Sequence, residues 1–120
     1  SSEQLKTAII ENFGTPCAVI DLDVVERNIQ RVQRLCDEAG VANRPHIKTH
    51  KSPILAKMQI DAGAQGITCQ KLGEAEVMAD AGITDIVIAT NLLGAARSGR
   101  LAALQRRLSL KVCADNPVTL

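Results

Sequence analysis

The segment Arg44-Pro45-His46-Ile47-Lys48-Thr49-His50-Lys51 concentrates basic chemistry in eight residues. Side chains alternate along an extended strand, so Arg44, His46, Lys48 and His50 share one face. A cation crowded by cations gives up its proton more readily. A neutral lysine amine is a nucleophile able to form a Schiff base with a carbonyl. Two readings stay open at this point: a ligand site built around Lys48, or a basic strand end that is solvated or paired with helix carboxylates. His46 and His50 are too few ligands for zinc, and Lys48 between them would repel the ion. Lys51 follows the strand, as a loop or helix-start residue, and is assigned no chemistry.

Those residues need a frame, and the chain supplies a repeated one. Leu5, Ile9, Ile10 and Phe13 fall at helical spacing before Gly14. A short strand is expected at 17–21. Asp23 is then expected to cap a helix with the apolar stripe Val25, Ile29 (Asn28 beside it), Val32 and Leu35/Cys36, ended by Gly40. Residues 44–49 read as extended. A helix over 53–62 would bury Ile54, Leu55 and Met58. Strands at 66–70, 85–90 and 109–114 alternate with helices at 72–81 and 94–107. Glu38-Ala39-Gly40, Asp61-Ala62-Gly63 and Asp80-Ala81-Gly82 repeat one ending, in which glycine takes the left-handed conformation that stops a helix. Strand–helix–strand at this period implies right-handed βαβ units and a parallel sheet. Lys48 would then lie towards the C-terminal end of its strand, where such sheets carry their sites.

Composition narrows the options. The chain has 120 residues, 46% of them apolar, and 14 Lys+Arg against 13 Asp+Glu give a net charge of +1. That balance argues against nucleic acid or an anionic membrane as partner. No stretch is long and apolar enough to read as a membrane span, and residues 1–10 do not read as a signal peptide. Phe13 is the sole aromatic residue, so the core must be built from small aliphatic side chains and no base-stacking platform exists. The four cysteines form no CxxC pair, which removes zinc-finger spacing. Free thiols and the missing targeting segment point to the cytoplasm.

Arg-Pro-His-x-Lys-Thr-His-Lys at 44–51, followed by Gly66-Ile67-Thr68-Cys69-Gln70-Lys71, resembles the D-threonine aldolase / D-serine dehydratase family. These are fold-type III pyridoxal-phosphate enzymes with an alanine-racemase-like N-terminal barrel. Flanking features agree in order: Thr15-Pro16, Asp21-Leu22-Asp23, Glu74-Ala75, Ala81-Gly82-Ile83, Asp85-Ile86 and Gly94. The resemblance spans about residues 15–116. It implies the N-terminal part, about five βα units, of a (β/α)8 TIM-like barrel with parallel strands. From periodicity alone, a doubly wound open sheet of five strands competes. Residues 1–120 would form one partial cofactor-binding barrel domain. Asn116-Pro117 announces a further helix and Ser1 is not Met, so the expectation is a fragment lacking the rest of the barrel and a C-terminal β domain.

The resemblance also implies roles. Lys48 would hold pyridoxal 5'-phosphate as a Schiff base and act as base or acid at Cα. His50 and Gln70 would line the pocket near the cofactor ring, with Thr90 or Asn91 doing so from the next strand. His46 would orient its neighbours, and Arg44, lower still, is structural. The turn after the strand is the competing reading for Thr90 and Asn91, and a loop hydrogen bond for Gln70. No metal ligand is expected in this chain. A divalent ion, Zn or Mn, would be held in the full-length protein by residues outside it. The implied activity is a lyase on β-hydroxy D-amino acids, by retro-aldol cleavage or by dehydration. The fragment alone is expected to be inactive and the full-length protein to be a homodimer. A racemase, a non-catalytic pyridoxal-phosphate carrier and a cofactor-free partner-binding domain are the alternatives.

Overall fold

Three helices end on the same hydrogen-bonded turn, and these turns set the beat of the fold. The computed structural model describes residues 1–119. Helices α1 (Ser2–Phe13), α2 (Leu22–Glu38) and α3 (Pro53–Asp61) precede strand β1 (Ile67–Cys69). Then follow α4 (Leu72–Asp80), β2 (Asp85–Ile88), α5 (Ala95–Gln105) and β3 (Ser109–Val112). After α2, α3 and α4 the glycines Gly40, Gly63 and Gly82 take φ of 66°, 121° and 90°. The next amide closes each turn onto the helix: Val41 N–H donates to Cys36, Ala64 N–H to Gln59, and Ile83 N–H to Met78.

The three strands form one parallel sheet in the order β1-β2-β3. Residues 44–47 extend it. His46 bridges Thr68 in parallel, Ile47 N–H donates to Thr68 O at 2.9 Å, and Thr68 N–H donates to Pro45 O at 2.8 Å. One sheet face carries Ile47, Ile67, Cys69, Ile86 and Ile88, all fully buried against Ala56, Leu72, Ala75, Met78 and Leu104 from the helices. Small alanines let the helices sit close to the aliphatic strands, which is how a core forms without aromatic rings. No helix among the described residues is long and apolar enough to cross a membrane.

Several expectations need correction. Residues 17–21 form no strand and belong to no ladder, and all are exposed. Apolar composition suits a strand, but only hydrogen bonds to a partner make one. The first βα unit is therefore missing as a paired unit. Asp21, not Asp23, caps α2, because its carboxylate accepts the Val24 N–H at 3.1 Å. The inward side of α2 runs Val25, Ile29, Gln33 and Cys36, leaving Val32 and Leu35 exposed. Gln33 is buried because its amide is satisfied: Nε2 donates to Asp37 at 2.9 Å and Oε1 accepts from Asn43 at 3.1 Å. In α3, Ala56 and Ile60 meet the core while Ile54 is exposed. Residues 116–119 form a turn, with Val118 N–H donating to Asn116 Oδ1 at 3.0 Å. The radius of gyration is 17.7 Å, against about 14 Å for a compact chain of this length. The excess reflects the weakly packed N-terminal part.

Candidate functional site

The register stacks the other face of the sheet in rows. Arg44, Asp85 and Ser109 occupy the lowest, and His46, Thr68, Val87 and Lys111 the next. Lys48 and Gln70 follow at the C-terminal edge, with Thr90 and Asn91 in the loop after β2.

The lowest row neutralises the first cation of the basic segment. Arg44 binds Asp85 through both guanidinium nitrogens, Nη1 to Oδ1 at 2.9 Å and Nη2 to Oδ2 at 3.1 Å. Lys111 Nζ adds a third bond to Oδ1 at 3.2 Å. Arg44 holds the Asp85 carboxyl below the usual range; burial opposes this, and Lys111 reinforces it. The guanidinium reaches Asp85 by crossing over Gly66. A Cβ there would lie 2.3 Å from Arg44 Nη1 and 2.5 Å from the Asp85 carbonyl oxygen. Glycine is required at 66 by this close approach. Arg44 is thus a structural group, as its low position on the strand implied.

Above it, His46 Nδ1 accepts the Lys48 backbone N–H at 3.2 Å. In neutral imidazole the proton then sits on Nε2, which is buried and has no partner among the described residues. The Lys48 side chain is exposed and makes no hydrogen bond or ion pair among the described residues. The strand ends here, because residues 48–50 form a turn. That overturns the shared face expected for His50. Its Nδ1 accepts the Ser52 N–H at 3.0 Å and its Nε2 lies 3.3 Å from Gln59 Oε1, so the ring is engaged with the start and body of α3. Ser52 in turn caps α3 by accepting the Leu55 N–H.

Lys51 is more than a loop residue. It adopts φ of 50° and pairs with Glu74 of α4. Glu74 also accepts the backbone N–H of Gln70 at 2.9 Å and of Lys71 at 3.3 Å. Burial disfavours its charge, but the Lys51 bond and the two amides outweigh it, and the carboxyl is held below its ordinary value. Glu74 at the third helical position is half of a capping box. That signal was available in the sequence but was masked by lysine, not serine, at the cap.

Gln70, Thr90 and Asn91 come together in an open cleft of about 340 Å³ between the starts of α4 and α5, with Lys71, Arg97 and Arg100 at its rim. Asn91 Oδ1 is buried without a partner among the described residues. The chemistry of this strand edge suits a carbonyl compound. Lys48 offers a primary amine unpaired among the described residues, and Arg44 and Lys51 are already neutralised by carboxylates. His46 Nε2 and Asn91 Oδ1 have no partner among the described residues. Cys69 lies under the edge; burial, with Glu74 adding to it, pushes its thiol up to about 12, so it stays protonated. Among the described residues no group of three or more His, Cys, Asp or Glu could hold a metal ion.

Comparison with known proteins gives a consistent picture. Residues 20–118 match the family model described as alanine racemase, N-terminal domain. The chain is 43% identical over 107 residues to a D-threonine aldolase of Arthrobacter sp, covering 89% of this chain and 28% of that enzyme. It is 45% identical over 104 residues to the D-threo-3-hydroxyaspartate dehydratase of Delftia sp. (strain HT23), covering 87% and 27%. The crystal structure of D-threonine aldolase from Filomicrobium marinum superimposes with a TM-score of 0.83 at 43% identity, over 85% of this chain and 28% of that one. The chain therefore spans a little over a quarter of the length of these relatives. Its parallel α/β architecture corresponds to their N-terminal part.

Proposed function

Because the chain belongs to the alanine racemase N-terminal domain family, we propose that it carries the cofactor lysine of a pyridoxal-phosphate-dependent lyase acting on β-hydroxy D-amino acids. The observation that carries this reading is the Lys48 amine, without a partner among the described residues at the C-terminal edge of a parallel sheet, while Arg44 and Lys51 beside it are tied to carboxylates. Bound at that amine, pyridoxal phosphate supplies an electron sink for negative charge at the substrate's Cα. Lys48 anchors it and then holds or delivers the proton at Cα. His46 Nε2–H is a fixed donor below the amine. Gln70, Thr90 and Asn91 orient bound groups from the cleft, and His50 secures the turn that carries Lys48. The names of the relatives support a lyase and cover both fates of the β-hydroxyl: cleavage of Cα–Cβ to glycine and an aldehyde, and dehydration to a 2-oxo acid and ammonia. Groups facing this edge from outside the chain would select between them. A divalent metal, where the reaction uses one, would also be held outside it.

The test is the visible spectrum of the full-length protein, followed by borohydride reduction and peptide mapping, with Lys48→Ala alongside. The expected result is an absorption band and a reduced adduct on the Lys48 peptide, both lost in the variant. Turnover of D-threonine, D-serine or D-threo-3-hydroxyaspartate should be lost with them. A band without turnover would indicate a carrier, and racemisation without cleavage a racemase. A colourless protein that takes up no pyridoxal phosphate overturns the reading.

A further inference from the structure

Glu74 joins two turns that share no other side-chain bond among the described residues. Its side chain is only 9% exposed. One carboxylate oxygen accepts the Gln70 and Lys71 amides at the start of α4, and the other accepts the Lys51 ammonium from the turn after Lys48. Lys51 reaches it from a left-handed backbone, a conformation that L-residues hold only when their surroundings fix it. Its own N–H is bonded to Ile47 O at 2.8 Å, so main chain and side chain fasten the turn at opposite ends. Lys51 stands three positions after Lys48, and Glu74 four positions after Gln70.

We propose that the Lys51–Glu74 pair is a positioning strut for the lysine site, fixing the Lys48 turn against the start of α4 and so setting the distance between the Lys48 amine and Gln70. The proposal rests on Lys48 being the cofactor anchor and adds two residues that act through it. A carboxylate that served only to cap α4 would need its amide bonds alone. The ion pair to a second segment is what capping leaves unexplained. Lys51 and Glu74 spend their bonds on each other and on backbone amides, so on this proposal the pair governs geometry, and its loss should lower turnover more than substrate binding.

Glu74→Gln keeps an oxygen for the two amides but gives up the charge that holds Lys51. Lys51→Met removes the other partner, and Lys51→Arg restores the charge. Hydrogen exchange on the full-length protein without cofactor is the first readout. Amides 48–52 should exchange about tenfold faster in Glu74→Gln and Lys51→Met, the scale of one charge-assisted hydrogen bond. They should return close to wild type in Lys51→Arg. With cofactor, kcat should fall about tenfold while KM moves less than twofold and the Lys48 adduct still forms. Exchange at 48–52 unchanged in both variants overturns the strut, as does a fall in kcat that Lys51→Arg fails to rescue. A wild-type protein with no Lys48 adduct overturns the cofactor reading instead, and the exchange data still decide the strut.

Discussion

Helices α2, α3 and α4 end on the same turn, yet the residue that closes it has two different fates. Ala64 and Ile83 are 6% and 7% exposed, whereas Val41, in the same hydrogen-bonded position, is 57% exposed. The contrast extends to whole regions. Between residues 47 and 110 eleven buried apolar side chains form one core, with Ile54, Val77 and Leu93 left exposed. Among residues 1–42 Gln33 is the only buried side chain, and Leu5, Phe13, Val19, Ile20 and Leu35 are all more than half exposed. Both regions have comparable apolar patterning. What separates them is pairing: α4 and α5 pack on strands that are themselves hydrogen-bonded, while residues 17–21 have no ladder. A correct local motif stops a helix wherever it occurs, but it stabilises only where a sheet lies beneath.

The largest effect should come from cutting into the packed region. Ile86→Ala in the 120-residue chain should cost about 2–5 kcal/mol in chemical unfolding. Leu35→Ala should stay within about 0.5 kcal/mol. Equal losses would mean that α2 is packed in solution, and the contrast between the regions would disappear. Gly66→Ala comes next, at about 1–3 kcal/mol, because the added Cβ displaces Arg44 and crowds the Asp85 carbonyl. Pairing it with Arg44→Met, which withdraws the guanidinium, should recover only part of the loss, since the carbonyl clash remains.

Acid should sharpen the comparison further. Asp85 and Glu74 have folded-state pKa values below their unfolded ones. The unfolded chain therefore binds more protons at mildly acidic pH, and stability rises with pH. Their contribution is complete above the unfolded carboxylate range of about 4 and is lost as pH falls through the folded values. Unfolding midpoints measured from pH 6 to pH 2.5 should show this slope, and Asp85→Asn with Glu74→Gln should flatten it. In the N-terminal region a lost cap should have a small and local effect. Asp21→Ala should cost about 1 kcal/mol, read as faster amide exchange within α2 and no change in the sheet.

Legibility in the sequence follows the same division. The acidic-Ala-Gly endings are local, and each glycine is found where its spacing places it. The alternation from 66 to 88 is legible because buried apolar residues fall two apart, Ile67 and Cys69 in one strand and Ile86 and Ile88 in the next. The Lys48 edge is legible through its motif. What one segment cannot reveal is its partner. Arg44 and Asp85 stand 41 residues apart, and nothing near either marks the pair. The turn at 48–50, which carries His50 away from Lys48, depends on Ser52 and Gln59 accepting that ring's geometry, and alternation has no access to it. The inward role of Gln33 was hidden for the same reason, since its partner Asn43 lies beyond the helix.

The capped turns all lead into strands, so they lie at the end of the sheet remote from Lys48. A residue inserted between Gly82 and Ile83 would break the Ile83 bond to Met78 and withdraw a buried side chain. One inserted between Leu93 and Gly94 would meet mostly water, since both are exposed. The two ends of the sheet therefore differ in how much added chain they can absorb. Lengthening should cost folding stability at one rim and little at the other, so the rim beside Lys48 can change shape without altering how the chain folds.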